Sequence, residues 1–202
     1  MTTPARLLAQ AENALGAEFR RLDVTQYPLP FDGQSFDLIH ARLLDSILPR
    51  NQWPLLIQEA HRLLRPGGCL VVSEYETAVS TSPVLRRLNQ IFLQGMYAMG
   101  KGFSAGASLG ISHRLPMWFY QAGFLEIESE AYAVDCSYGT ELANAWNEEL
   151  FAIVSALHSR MISAGVTTQE ELENLIALAA HDVADPMFVN FNYFVSVWGR
   201  KG

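Results

Sequence analysis

Apolar residues along the chain alternate between two rhythms. Leu7, Leu8, Ala11, Ala14 and Leu15 lie three or four apart, the spacing that lines one face of a helix. Thr3 is placed to cap that helix, Pro4 suits its first position, where a missing N–H costs nothing, and Gly16 is a natural stop. Ala17–Leu22 then reads as a short strand ending at Asp23, and Ser35–Ala41 as a second strand ending in polar residues. Trp53, Leu56, Ile57, Ala60, Leu63 and Leu64 return to helical spacing, and Arg65-Pro66-Gly67-Gly68 ends that helix. Cys69–Tyr75 opens on a continuous apolar run, as expected of a strand buried on both faces of a parallel sheet.

Ser82-Pro83 opens the next helix, with Leu85, Leu88, Ile91, Phe92 and Met96 on one side. Gly100–Gly110 reads as a loop, Ser112 as the cap of a short helix ending at Gly123, and Phe124–Val134 as a strand. Two longer helices are expected over about 141–163 and 169–181, the second with Thr168 and Glu171 as a capping box. The end, "FVNFNYFVSVWGRK", is rich in β-branched and aromatic residues and predicts a long strand. The alternation argues for an α/β sheet with helices on both faces. Ligands bind such sheets beyond the carboxyl ends of the strands, which directs attention to Asp23 and Val24, to His40–Leu43 and to Glu74–Glu76.

Composition narrows the function classes. At 202 residues, half of them hydrophobic, the chain is long enough to bury a substantial core as a single domain, residues 1–202. A net charge of −7 and the lack of any Lys/Arg stripe argue against nucleic acid. No run approaches the length needed to span a membrane, and no signal-peptide pattern opens the chain, so the expected location is cytoplasmic. Cys69 and Cys136 sit alone in apolar runs, as buried free thiols in a reducing compartment do, and no His/Cys/acid cluster has metal-ligand spacing. No Ser-His-Asp pattern or nucleophile elbow is visible.

"RLDVTQYPLPFDGQSFDLIHARLL", "LIQEAHRLLRPGGCLVVSEY", "RLPMWFYQAGF" and a terminal "VSVWGRK" together resemble a class I S-adenosylmethionine-dependent methyltransferase of the small-molecule type. The resemblance implies a Rossmann-like sheet of order 3-2-1-4-5-7-6 with an antiparallel last strand, and a helical insertion over residues 137–187 on the substrate side. It implies that Asp23 accepts from the adenine amine and that the Val24 amide faces a ring nitrogen, a pairing that suits a carboxylate and an N–H. His40, Ala41 and Arg42 would line the methionine end, and Glu74 and Tyr75 would face the substrate. His113 and Arg114 lie where they could cover the pocket, and Glu74 or His40 is the candidate base. Alternation along the strand would put Glu74 and Glu76 on one face. Asp37 reads as a structural hydrogen-bonding residue, and His61, His158 and His181 carry no assigned role.

One departure from the family is large. The strand with its "DxGxGxG" turn, and the second strand whose acid holds the ribose, do not precede Asp23 in this sequence. Two strands would then have open edges, an aggregation hazard. Three outcomes follow: Ala17–Leu22 moves beside Ser35–Ala41, two chains pair as a homodimer to cover the edges, or the sequence is a fragment of a longer protein. The function reading is methyl transfer from S-adenosylmethionine to a small-molecule acceptor, impaired to the extent that the missing turn matters. The alternative is a non-catalytic methyltransferase-like relic or interaction module that does not bind the cofactor.

Overall fold

A computed structural model describes residues 18–202. It contains a four-stranded sheet built from β1 (Phe36–Arg42), β2 (Leu64–Ser80), β3 (Phe124–Asp135) and β4 (Asn190–Lys201). The helices are α1 (Trp53–Leu63), α2 (Pro83–Ala98), α3 (Leu115–Gln121), α4 (Ala143–Ser163) and α5 (Gln169–Asp182). The spatial order is β1-β2-β4-β3, with β1 and β2 parallel and β4 antiparallel to both of its neighbours. This is the 4-5-7-6 half of the order implied above. The helix expected over Pro4–Gly16 lies outside the described residues.

The first correction concerns Ala17–Leu22. Residues 18–22 adopt no regular structure and do not pair with β1, so β1 has β2 as its one neighbour among the described residues. A strand is defined by its partner, and periodicity alone supplies none. This segment is tied down locally instead, with the Arg20 guanidinium 5.6 Å from the centre of the Phe31 ring and bonded to Glu18.

The second correction concerns Arg65–Gly68, which does not separate helix from strand. Leu64 already pairs with Phe36, and the next matched pair is Leu38 with Cys69, so Arg65–Gly68 bulges against Asp37 inside the β1–β2 ladder. Gly67 takes the left-handed conformation that the bulge needs, at φ +79°. Arg65 closes it by pairing with Asp37 at 2.6 Å, which gives Asp37 a structural role.

The apolar stripe of α1 buries Trp53, Leu56, Ile57, Ala60 and Leu63 against the sheet residues Leu70, Val72 and Val197. Trp53 stacks on Trp118 of α3, with the rings 6.3 Å apart and 10° from parallel. A second cluster joins α2, α4 and α5 through Leu88, Val154, Leu172 and Phe188. Ser82 caps α2 by accepting from the Leu85 amide at 3.0 Å. Half of the expected capping box forms on α5: Thr168 accepts from the Glu171 amide, while the Glu171 carboxylate goes to Arg87 and Thr167. Among the described residues no helix is long and apolar enough to cross a membrane.

A Cβ at Gly68 would meet the Arg65 and Asp37 carbonyl oxygens at 2.9 and 3.1 Å. Gly68→Ala should therefore destabilise the protein by about 1–3 kcal/mol. Urea unfolding should show a lowered midpoint at unchanged slope, and an unchanged midpoint would refute the packing described for the bulge.

Candidate functional site

The parallel pairing of β1 and β2 stops where Arg42, the last residue of β1, meets Ser73, while β2 runs on to Ser80. The chain turns at once after β1, with Leu43 at φ +53° and its amide donating to the Ser73 carbonyl at 3.1 Å. The next two amides, Leu44 and Asp45, donate to the two carboxyl oxygens of Glu74 at 3.0 and 3.2 Å. Glu74 is fully buried. Burial, and secondarily the neighbouring Asp45 charge, push its carboxyl up to about 8. Glu74 thus braces the loop after β1.

Asp45 is also buried, at 4% exposure, and burial raises its carboxyl to about 6. Its own and the Ser46 backbone amides, with the Lys101 charge, oppose that rise. Lys101 itself donates to the Ser46 carbonyl. Asp45 opens on a cavity of about 240 Å³, walled by Leu43, Tyr75, Phe92, Trp146 and Asn192. The Tyr75 hydroxyl donates to Asn89 at 2.7 Å, and its ring lies 6.2 Å from Phe92 and 6.3 Å from Trp146. Burial holds the phenol far above its ordinary value, so Tyr75 stays neutral. A larger depression of about 480 Å³ lies between Arg20 and Phe36, but it is open to solvent and sits at the amino end of β1.

The sequence-predicted residues separate into two groups. Glu74 and Tyr75 lie inside β2, just past its last pair with β1, and Ala41 and Arg42 end that neighbouring strand. Arg42 is exposed, and Ala41 packs against the core. His40 is exposed and its Nε2 lies 3.1 Å from the Ser73 hydroxyl, which is 2.7 Å from the Ser196 hydroxyl. Glu76 braces a different loop from Glu74: it accepts from Gly110 and Ser112, drawing in the glycine-rich segment Gly100–Gly110. That contact removes Ser112 from its expected capping role, and α3 starts after Arg114 with no side-chain cap. His113 is exposed, while the Arg114 guanidinium lies 4.9 Å from the centre of the Phe103 ring, and neither residue lines the cavity.

Asp23 lies in an exposed turn. Its Oδ1 accepts from the Thr25 amide at 3.0 Å and the Thr25 hydroxyl at 2.6 Å, which hold its carboxyl below the usual range. Val24 packs against the core cluster. Asp45, Trp146 and Asn192 were not legible as site residues. Asp45 is one polar residue in "LLDSIL", a pattern shared with ordinary loops, and Asn192 reaches the cavity by pairing across the sheet with Ala78.

Residues 1–68 match the family described as a methyltransferase domain. That match covers about a third of the chain. In fold the chain is similar to the YcgJ protein of Bacillus subtilis, which superposes with a TM-score of 0.52 at 13% identity, over 100% of this chain and 80% of that one. Phosphoethanolamine N-methyltransferase 2 of Haemonchus contortus, solved with phosphomonomethylethanolamine and S-adenosylhomocysteine, gives a TM-score of 0.40 at 15% identity, over 85% of this chain and 35% of that one. The chain thus spans about a third of that enzyme's length. The [4+2]-cyclase SpnF matches at 20% identity with a TM-score of 0.46, over 98% of this chain and 62% of that one. No curated protein matches the chain.

The folded state holds the Glu74 proton to higher pH than the unfolded chain does. The stability this adds is complete below about pH 4.5 and is lost as pH rises through about 8. Urea unfolding should show stability falling across that window, and Glu74→Gln should flatten the fall. The slope that remains, from Asp45, should end near pH 6. A Glu74→Gln profile identical to that of the native chain would show that Glu74 is ionised in the fold.

Proposed function

We propose that this chain takes part in S-adenosylmethionine-dependent methyl transfer to a small-molecule acceptor. The observation that carries the reading is a mostly apolar cavity beyond the carboxyl end of β1, where its parallel pairing with β2 stops, in a chain whose residues 1–68 match a methyltransferase domain.

The polar groups of the turn and strand end fit part of the cofactor. Both Thr25 bonds fall on one oxygen of Asp23, so Oδ2 is open, and the Val24 amide makes no hydrogen bond among the described residues. A free carboxylate oxygen beside a free N–H is the complement of an adenine edge. Arg42, exposed at the end of β1 and without an ion-pair partner among the described residues, suits a carboxylate such as that of the methionine end. When bound, the cofactor supplies a methyl group on a sulfonium, which needs alignment and a water-poor site more than it needs a strong base.

The residues of the chain meet those needs as follows. Tyr75, Phe92 and Trp146 exclude water from the cavity wall. Leu43 and Asp45 are held in place through the Glu74 brace. Where the acceptor must lose a proton, Asp45 is the group placed to take it, because it lines the cavity and its raised affinity suits a base near neutrality. Glu74, with both oxygens on backbone amides, and His40, bonded to Ser73, are less available. Helix α4, which with α5 is inserted between β3 and β4, forms the acceptor-side wall through Trp146, Leu150 and Ile153.

A methyltransferase-like module that does not bind the cofactor is the second reading, favoured by the edge of β1, which pairs with β2 alone among the described residues and is open to a partner strand. Calorimetric titration with S-adenosylhomocysteine separates the two. The catalytic reading expects saturable heat, weakened about tenfold to a hundredfold in Asp23→Ala, the range for a lost bond to a charged group. No heat at millimolar ligand would favour the non-binding module.

A further inference from the structure

Among the described residues the cavity wall carries one charged side chain, and that charge has no ion-pair partner. Asp45 is 4% exposed and has no salt-bridge partner among the described residues. Its hydrogen bonds come from its own and the Ser46 backbone amides. The cations within electrostatic reach are elsewhere: Lys101 is bound to the Ser46 carbonyl and has Arg160 near it, and neither lines the cavity. The other two carboxyls nearby are occupied, Glu74 by the loop amides and Glu76 by Gly110 and Ser112. A buried carboxylate facing an apolar space is costly, and a bound cation is the partner that relieves it.

Two further features describe the ligand. Tyr75, Phe92 and Trp146 present aromatic surface to the same space, which attracts a desolvated ammonium as well as an apolar body. Asn192 is 1% exposed and lines the cavity, and among the described residues its amide nitrogen has no oxygen or nitrogen partner, the Cys136 sulfur being a weak acceptor beside it. That N–H group calls for a ligand atom that accepts. The volume of about 240 Å³ is below the ~300–1,000 Å³ typical of drug-sized sites, so the ligand is small.

We propose that the cavity binds a small primary, secondary or tertiary amine as its ammonium form. The ammonium sits on Asp45, the apolar body lies among Tyr75, Phe92 and Trp146, and a hydrogen-bond acceptor, where the ligand has one, reaches Asn192. The proposal deepens the methyl-transfer reading, since it names the acceptor class: the bound ammonium gives its proton to Asp45, and the freed nitrogen lone pair takes the methyl group. The binding itself rests on the cavity and can be tested without the cofactor.

Three probes of similar shape make the test: 2-phenylethylamine, 2-phenylethanol and 3-phenylpropanoate, each titrated calorimetrically into the protein at neutral pH. The amine should bind at least about tenfold more tightly than the alcohol, and the carboxylate should bind least. Asp45→Asn, checked for folding by circular dichroism, should erase the preference of amine over alcohol. Should that variant unfold, the ranking of the three probes on the native chain still decides. Equal binding of amine and alcohol, preference for the carboxylate, no binding of any probe, or an amine preference that survives Asp45→Asn would each overturn the proposal. Titration of S-adenosylhomocysteine in parallel keeps the two failures apart: amine binding without cofactor binding defeats the methyl-transfer reading alone, and the reverse defeats the amine assignment alone.

Discussion

Glu74 decides the geometry at the working end of the sheet. A chain leaving a parallel strand must turn within a few residues, and the amides of that turn lose their ladder partners. Leu43 solves part of the problem by taking φ +53° and donating to Ser73. The next two amides have no backbone acceptor and take the Glu74 carboxyl instead, from the strand beside them. One side chain therefore fixes the direction of residues 43–45, and through them the position of Leu43 and Asp45 on the cavity wall. The brace is efficient because it is buried, and burial also makes Glu74 a weak acid.

Its neighbour Glu76 repeats the device two residues on. The same strand reaches the other way to bind Gly110 and Ser112, and thereby folds the glycine-rich loop over α3. Simple alternation would have placed the two carboxylates together on one face. The ladder slips between Tyr75 and Thr77, where β2 changes register against β4, and each carboxylate serves its own loop. Tyr75 between them packs into the aromatic group of Phe92, Trp146 and Phe194.

Legibility in the sequence followed the range of the forces involved. The stripe of α1, the apolar run of β2 and the β-branched end of β4 were readable because side-chain period and burial are local statements. The strand expected at Ala17–Leu22 was not, because its existence depends on a partner elsewhere in the chain. β4 is interior to the sheet, paired to β2 and β3, which accounts for its richness in aromatic and β-branched residues. The site was half legible. The rule that ligands lie beyond carboxyl ends directed attention to Glu74 and Tyr75, and Tyr75 borders the cavity, but which acid faces the cavity depends on a loop closure that joins residues 44 and 45 to residue 74. Asp45 and Asn192 come from different ends of the chain, and nothing in either local pattern marks them.

The two acids of this loop are best understood as one unit with divided roles. Burial raises the proton affinity of both, and the Asp45 charge contributes directly to the shift at Glu74. Near neutrality the pair therefore favours one proton between the two carboxyls, and the more deeply buried Glu74, raised to about 8, holds it more strongly than Asp45, raised to about 6. A protonated Glu74 still accepts from the loop amides, so the brace survives without a charge. The negative charge is left on Asp45, the member of the pair that borders the cavity. A fold that needed only to close its loop could have done so with an amide or a hydroxyl. Keeping two carboxyls, one neutral and structural, the other charged and facing an aromatic space, is costly in stability and is consistent with a site built to receive a cation.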